Sequence, residues 1–360
     1  MTAHGAAGGE GPLVSLVLPV RGVAEYLPAC LDSILGQPDL PAGVEVIAVD
    51  DASPDASGAI LDGAAGKDPR LRVIHLPESA GPGPARMRGL AEASGEYVWF
   101  ADPDDLLAPG SLAAIASRLR RDRPDVMLVD YLILLPSGRT QPSPGGDLLR
   151  SGPAAGATVT LADYPALINR TMTSWSKVIR RSFLAGLGVS FSPGIHEDVP
   201  VSSAALLLAS RISLLDQVCY LYRRRSGSFL GTQSMDHFSI FSSYEQVFAL
   251  ARAGQGGNGR CPAPVRSAVF GRAIEHYSSV LASRLVPRRA RREFFARMVA
   301  DYRKYRPPGY HRPPGLRGLK VALIERDAYW AYAVLGPLND ARVAARRLLH
   351  AAGRRLPAGR

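Results

Sequence analysis

Apolar runs and helical stretches alternate along the first hundred residues, and this alternation constrains the fold more than any other feature of the chain. The predicted strands are 13–20, 44–49, 71–76 and 97–100. Most of these runs are too continuously apolar for half-exposed strands, which is typical of a parallel sheet covered on both faces. Helical spacing of apolar residues between them, as at 26–35, predicts right-handed strand–helix–strand crossovers. The pattern predicts an α/β fold with a mostly parallel sheet flanked by helices.

Acidic clusters follow two of these strands at the point where each strand ends. Asp50 and Asp51 follow the second strand, and Asp102, Asp104 and Asp105 follow the fourth. In open α/β sheets, ligands bind at the carboxyl ends of the strands. Two carboxylates one residue apart offer hard oxygen ligands to Mg²⁺ or Mn²⁺ held by a diphosphate. The alternative for the second cluster is an ordinary Asp-Pro turn that caps the next helix.

Shorter elements follow, and two further charged motifs lie among them. The predicted elements are a helix at 112–120, a strand at 126–135, a flexible Gly/Pro/Ser-rich loop at 136–156, a strand turning into a helix within 172–187, a buried helix at 201–208, and strands at 212–215 and 218–222. The motif His196-Glu197-Asp198 stands just before the buried helix, where the helix macrodipole favours acidic residues. A basic run, 223–225, follows the last strand.

The character of the sequence changes to helical periodicity near residue 236. Stretches at 240–251, 264–285, 287–305 and 320–356 carry apolar residues at three-four spacing, with arginine on the remaining face. We therefore predict a disordered tail at 1–12, an α/β domain at 13–235 and a helical C-terminal domain at 236–360. Its basic helices would contact an anionic membrane or polymer, form a homo-oligomer, or pack on the first domain with arginine outward.

Composition indicates which classes of binding partner and which cellular compartment to expect. The net charge of +11 suits an anionic partner, but the basic runs lack interleaved aromatic residues and any nucleic-acid motif, so nucleic acid is not expected. The three cysteines lie far apart and indicate neither a zinc site nor a disulfide framework, which fits a reducing compartment. No apolar run reaches the roughly 18 residues of a membrane span, and no secretory signal is evident. These features predict a cytoplasmic protein, soluble or peripheral on the inner membrane face.

Three motifs, in this order along the chain, resemble those of family 2 inverting glycosyltransferases with a GT-A (Rossmann-like) fold. VDDASPD at 49–55 is similar to the nucleotide-binding turn of that family, FADPDD at 100–105 to its DxD metal motif, and His196-Glu197-Asp198 to its ED motif, which supplies the catalytic base. The resemblance covers about residues 13–230. The helical region resembles those of enzymes that act on cell-wall polymers, including teichoic-acid polymerases.

This resemblance implies roles for individual residues. Asp104 would hold Mn²⁺ or Mg²⁺ with Asp102 as an accessory ligand, and Asp198 would be the general base, with Glu197 as the second candidate. The donor nucleotide would be held by Pro19, Val20, Asp50, Asp51, Ser53, Arg86, Asp102, Lys177, Arg223 and Arg225. For the basic members of this set, a solvated surface position is the alternative. Trp175 would stack on an acceptor sugar or, more commonly for tryptophan, belong to the core.

The reaction implied is metal-dependent, inverting transfer of a sugar from a nucleoside-diphosphate sugar. The resemblance favours a UDP-linked donor and a hydroxyl of a cell-envelope polymer or glycan as acceptor. Two alternatives remain open at this point: a non-catalytic module that binds sugar nucleotides or polyanions, and a module associated with a teichoic-acid polymerase.

Overall fold

A computed structural model describes residues 11–37, 43–150, 158–170, 173–192, 194–225, 232–253 and 261–335. Most of the predicted tail at 1–12, the end of the predicted loop at 136–156 and the helical stretch beyond 335 lie outside these ranges. No helix within the described ranges is both long and apolar enough to cross a membrane.

Nine described strands form one sheet around which the rest of the chain is arranged. They are β1 (Val14–Val20), β2 (Val44–Asp50), β3 (Leu71–His75), β4 (Tyr97–Phe100), β5 (Leu106–Leu107), β6 (Val126–Leu134), β7 (Thr140–Pro142), β8 (Lys177–Arg180) and β9 (Ile212–Arg223). Their order is β3-β2-β1-β4-β8-β6-β9-β5, with β7 paired to β6. The first four strands are parallel, as predicted.

The second half of the sheet is mixed, which the sequence pattern did not reveal. β8 runs antiparallel to both β4 and β6, whereas β9 runs parallel to β6. β9 also joins the two strands predicted at 212–215 and 218–222, and its register against β6 shifts near Asp130. Such a shift marks a β-bulge, which bends a strand without ending it.

Helices cover both faces of the sheet and then continue as a helical region. They are α1 (Leu27–Leu35), α2 (Ser57–Ala65), α3 (Pro82–Glu92), α4 (Ser111–Asp122), α5 (Asp147–Arg150), α6 (Arg181–Ala185), α7 (Val199–Leu208), α8 (Ser239–Ala253), α9 (Ala263–Ala282), α10 (Arg291–Tyr305) and α11 (Gly315–Glu325). The α/β fold with a helical C-terminal region is therefore confirmed.

The predicted flexible loop at 136–156 is wrong over its described part. Residues 140–142 pair with β6, and α5 buries Leu149. Asp130, on β6, accepts a hydrogen bond from the Ser143 hydroxyl (2.6 Å). This bond holds the segment that contains β7 and α5 against the sheet. The polar, Gly/Pro-rich composition of this segment could not predict the contact, because the carboxylate that anchors it lies on another element.

Two hydrophobic clusters fill the two sides of the sheet. One is formed by α1 and α4 on one face, and the other by α3 and α7 together with α8, α9 and α10. Every residue of α7 except Leu208 is buried, because α7 is packed between the sheet and the helical region. The predicted boundary at 236 thus marks a change of secondary structure inside one shared core, and a division into separate domains stays a prediction.

Candidate active site

The acidic clusters lie at one edge of the sheet because the parallel register brings the strand ends together. Val20, at the end of β1, is paired with Asp50 at the end of β2, and Val17 is paired with Phe100 at the end of β4. The carbonyl of Val20 accepts a hydrogen bond from the backbone N–H of Asp51 (2.8 Å). Pro19 and Val20 are buried residues of β1 at this same edge.

Asp50 is a buried carboxylate that organises the first acidic turn. One oxygen accepts a hydrogen bond from the backbone N–H of Ser53 (3.0 Å), and the other lies 2.9 Å from Nδ1 of His75. Burial raises the pKa of Asp50, but the hydrogen bonds from Ser53 and His75 outweigh it and leave this pKa below its ordinary value. His75 ends β3, so the rule that strand ends form the site could have found it.

Asp51 binds the loop that leads into α3. Its oxygens accept hydrogen bonds from the Ser79 hydroxyl (2.8 Å) and from the N–H groups of Ala80 (2.6 Å) and Gly81 (3.0 Å). A carboxylate has about four lone-pair sites, so a further donor such as a nucleobase N–H could still be accepted. The sequence did not indicate the loop at 79–81 as part of the site.

The second acidic turn follows β4, and each of its carboxylates has a different environment. Asp102 and Asp104 are half-buried, and Asp105 is buried. Oδ1 of Asp102 lies 2.7 Å from Nη2 of Arg86, and Oδ2 of Asp104 lies 2.6 Å from Nε of Arg225. Asp105 accepts a hydrogen bond from the backbone N–H of Arg223 (2.7 Å), so it ties the turn to the end of β9.

The carboxylate oxygens of this turn fit a divalent cation whose remaining coordination positions are filled by a bound ligand. Burial, together with the negative charge of Asp104, raises the pKa of Asp102, although Arg86 opposes this effect. A cation beside these hard oxygens would relieve the repulsion between them. Among the described residues, no group of three or more His, Cys, Asp or Glu side chains is arranged to hold a metal ion by itself. The remaining ligands would therefore be diphosphate oxygens and water.

Arg86, on α3, links the acidic turn to the ED motif. Its guanidinium forms ion pairs with both Asp102 and Glu197, and it is itself buried. Burial lowers the pKa of Arg86, but the neighbouring charges of Asp102, Glu197 and Asp198 raise it above the ordinary value. This side chain is therefore a permanent positive charge between the two halves of the site.

Asp198 is the second carboxylate of the ED motif. It stands at the N-terminus of α7, and its Oδ2 accepts a hydrogen bond from the backbone N–H of Ser174 (3.2 Å). Exclusion of water by the surrounding protein, followed by the charge of Glu197, raises the pKa of Asp198 to about 7. A carboxylate with a pKa near the working pH is suited to accept a proton during a reaction.

His196 packs away from the acidic turn, against the helical region. It adopts a positive φ of 68°, and its Nε2 lies 3.2 Å from Nδ1 of His237. Burial, together with His237, lowers the pKa of His196 to about 3, so the ring is neutral.

The basic residues predicted to hold phosphate divide into two groups. Nε of Arg223 donates to the carbonyl of Asp104 (2.8 Å), and the guanidinium groups of Arg223 and Arg225 both lie over the ring of Tyr26, at 5.4 and 5.3 Å. Lys177, in contrast, has no exposed surface. The sequence did not indicate Tyr26, whose ring orients both arginines.

Trp175 belongs to the core, the commoner of its two expected positions. Its ring stacks on Tyr220 with a centroid separation of 4.7 Å and an interplanar angle of 7°. Tyr220 in turn accepts a hydrogen bond from the backbone N–H of Asp102 (2.9 Å). The aromatic pair thus supports the acidic turn. Trp175 is buried and therefore offers no face to a sugar.

Residues 15–140, which include both acidic turns and Arg86, match the family described as Glycosyl transferase family 2. Residues 15–140 therefore belong to a family 2 glycosyltransferase domain. GlyG of Streptococcus pneumoniae, named a glycosyltransferase, is 28% identical to the chain over 61% of this chain and 74% of its own length. EpsJ of Bacillus subtilis, an uncharacterized glycosyltransferase, is 28% identical over 60% and 62%. The chain therefore spans less than two thirds of the second relative.

Solved structures show that the glycosyltransferase domain has the GT-A fold. S. aureus TarS (1–349), solved in complex with UDP-GlcNAc, superimposes with a TM-score of 0.68 at 22% identity and covers 82% of this chain and 81% of its own. The mannosyltransferase PcManGT of Pyrobaculum calidifontis, solved with GDP-Man and Mn²⁺, gives a TM-score of 0.53 at 20% identity, with 94% and 86% covered. At these identities the likeness concerns the fold.

Proposed function

We propose that this protein is an inverting glycosyltransferase that moves a sugar from a nucleoside-diphosphate sugar to a hydroxyl of a cell-envelope polymer or glycan, with Asp198 as general base. The observation that carries the proposal is the row of charges Asp102–Arg86–Glu197, with Asp198 beside it. This row joins a site for a diphosphate to a carboxylate whose pKa suits proton transfer at neutral pH.

In the proposed reaction, the acceptor hydroxyl attacks the anomeric carbon on the face opposite the diphosphate. The new carbon–oxygen bond forms as the bond to the phosphate oxygen breaks, so the configuration at that carbon inverts. The proton of the hydroxyl passes to Asp198, and the nucleoside diphosphate leaves with the electron pair of the broken bond. Asp198 contributes by removing a proton that would otherwise place positive charge on the attacking oxygen.

The donor is assigned to the edge formed by β1, β2 and β4. Asp51, Ser53 and the backbone of Pro19 and Val20 would surround the nucleoside, and Asp50 would shape their turn through Ser53. Arg86, Arg223 and Arg225 would offer forked donors to phosphate oxygens, whereas Lys177, for which the sequence predicts the same role, is fully buried. Asp104 and Asp102 would hold a divalent cation, which when bound neutralises the charge that develops on the leaving diphosphate.

Relatives suggest the classes of donor and acceptor. TarS was solved with UDP-GlcNAc, and a minor teichoic acid biosynthesis protein of Bacillus subtilis, GgaB, is 32% identical over 35% of this chain and 14% of its own length. A uridine nucleotide and an anionic cell-wall polymer are therefore the first donor and acceptor to try. Contact of the helical region with an anionic membrane, and assembly into a homo-oligomer, are further proposals.

The test is the substitution Asp198→Asn, which keeps the shape of the side chain but removes the proton acceptor. We expect UDP affinity, measured by calorimetry, to stay within about twofold and sugar transfer to fall by about 10²- to 10⁴-fold. In the wild-type protein the transfer rate should fall as the pH drops through about 7, because Asp198 is then protonated. Asp216→Asn, a substitution of an exposed aspartate, is the matched control.

Three outcomes would contradict the proposal in different ways. Normal turnover of Asp198→Asn would move the base elsewhere, and Glu197→Gln would be the next variant to assay. Absence of binding to any nucleoside diphosphate, with or without Mn²⁺, would remove the donor assignment. A transfer product with retained anomeric configuration would exclude direct displacement.

A further inference from the structure

Lys177 is a fully buried titratable residue, and the proposed reaction gives it no role as a phosphate ligand. It begins β8 and pairs in register with Leu128 of β6, while the next residue, Val178, is opposite Trp99 of β4. Its side chain is fully buried on one face of the sheet, beside the end of β4 that leads into the acidic turn. Burial lowers its pKa to about 7, and a cation is kept in such a place only if nearby groups compensate it.

The ammonium group of Lys177 braces a short turn formed by residues 173–176. Nζ donates to the carbonyl of Thr173 (2.9 Å) and to the hydroxyl of Ser176 (3.1 Å). The Ser176 hydroxyl also donates to the Thr173 carbonyl (3.0 Å), so the two ends of the turn are tied together. The same turn presents the N–H of Ser174 to Oδ2 of Asp198. The position of that donor thus depends on Lys177.

Charge connects the same two residues. Asp198 has like charges on Glu197 and Asp102, which raise its pKa, while Arg86 and Lys177 lower it. Arg86 is already paired with Asp102 and Glu197. Lys177 is the second cation that favours the charged form of Asp198.

Other charged and titratable groups around Lys177 and Asp198 come from several elements. Arg170 and Arg272 face Lys177, from the segment before the 173–176 turn and from α9, and both favour the neutral amine. Tyr244 of α8 faces Asp198, and its own pKa is raised to about 12, so it stays neutral over the range concerned. Asp198 is the group that favours the charged form of Lys177.

We propose that Lys177 is a positioning residue for the general base: its ammonium group holds the 173–176 turn that hydrogen-bonds Asp198. This inference rests on the proposed function, because it requires Asp198 to be the base. It assigns Lys177 to the acceptor side of the reaction, whereas the sequence pattern predicted a phosphate contact.

The test is Lys177→Met, which keeps the length of the side chain without its charge, assayed by the pH dependence of transfer and by UDP calorimetry. We expect the acid limb of the rate profile to shift to higher pH, the rate at pH 7 to fall about two- to fivefold and most of the rate to return at pH 9. UDP affinity should stay within twofold. Lys304→Met, a change of an exposed lysine on α10, should leave the profile unchanged.

Two results would overturn the inference while leaving the proposed function in place. A tenfold or greater loss of UDP affinity with an unshifted acid limb would return Lys177 to the diphosphate. A lower melting temperature with an unshifted limb would make Lys177 purely structural. If Lys177→Met does not fold, Ser176→Ala removes one partner of Nζ and must shift the limb in the same direction; an unshifted limb there also refutes the proposal. Normal turnover of Asp198→Asn would instead remove the proposed base itself.

Discussion

Arg86 balances the charges of the site. Its partners, Asp102 and Glu197, lie 16 and 111 residues away along the chain and belong to the donor and acceptor halves of the proposed reaction. A guanidinium stays protonated at any physiological pH, so this balance does not vary with pH. Removing it would leave two carboxylates buried without compensation, which generally costs more than the ion pairs contribute.

Asp104 is the residue that we expect to matter most for metal-dependent binding. Asp104→Ala should weaken Mn²⁺-dependent UDP binding by at least about tenfold, because even groups that only support a metal ligand change affinity by 10- to 100-fold. Calorimetry with Mn²⁺ and with EDTA measures the difference. Affinity in EDTA should be similar in the variant and in the wild-type protein.

The control for this prediction comes from the ion pair of Asp104 with Arg225. Arg225→Met breaks the same pair but leaves the carboxylate. If Arg225→Met abolished the Mn²⁺ dependence as fully as Asp104→Ala does, the effect would belong to the ion pair. Unchanged Mn²⁺ dependence in Asp104→Ala would remove its metal role.

Helix α3 carries Arg86 into the site, and its distance from the sheet is set by a glycine. A Cβ on Gly89 would lie 2.4 Å from Cγ1 of Val17 and 3.3 Å from Cγ2 of Val49. Both valines are fully buried strand residues that belong to the core. A larger residue would therefore push α3 away from β1 and β2. The guanidinium of Arg86, one helical turn before Gly89, would move with it.

Gly89→Ala should destabilise the protein in spite of the better helix propensity of alanine. Overpacking of a core typically costs about 1–3 kcal/mol, which exceeds the gain of about 0.5–1 kcal/mol expected for alanine in a helix. Urea unfolding measures the net change. Gly63→Ala on α2, where nothing lies within 4 Å of the added Cβ, should instead stabilise the fold. Equal effects at both positions would refute the packing argument.

The helical region is connected to the chemistry through α8. The Ser239 hydroxyl donates to the carbonyl of Ile195, and the Ser243 hydroxyl donates to the carbonyl of His196 (3.2 Å). These bonds hold the segment just before Glu197, in which His196 has a left-handed backbone that costs free energy for a non-glycine residue. The C-terminal helices thus support the segment that carries the proposed base as well as the core.

A shared core predicts that the molecule unfolds as one unit. Phe241, on α8, is buried between Tyr277 and Phe294, with ring centroids 4.8 and 4.7 Å away. Phe241→Ala should lower the free energy of unfolding by about 3–5 kcal/mol, in a single transition. Circular dichroism and tryptophan fluorescence measure it, in a Trp330→Phe background that leaves Trp99 and Trp175 as reporters of the α/β part.

Met235→Ala is the control, since Met235 is 41% exposed and should change stability by no more than about 0.5 kcal/mol. Two separated transitions, with the fluorescence signal unaffected by Phe241→Ala, would show instead that the parts before and after residue 236 fold independently.

The sequence by itself determined the elements and the edge of the sheet at which the site forms. Hydrophobic periodicity identifies β1 to β4 and the helices between them, and parallel register then brings Asp50 and Asp102 to one edge. These features depend on local pattern and on general rules of sheet topology, so they can be inferred without coordinates.

Only the tertiary structure decided which charges meet. In the sequence, Arg86, Lys177 and Arg225 are similar basic residues beside predicted elements. In the structure, Arg86 bridges two carboxylates, Lys177 is buried against the sheet and Arg225 pairs with Asp104. Ion pairing and burial depend on proximity between distant segments, which sequence spacing does not encode. For the same reason the antiparallel position of β8, which places Lys177 near Asp198, became evident only from the fold.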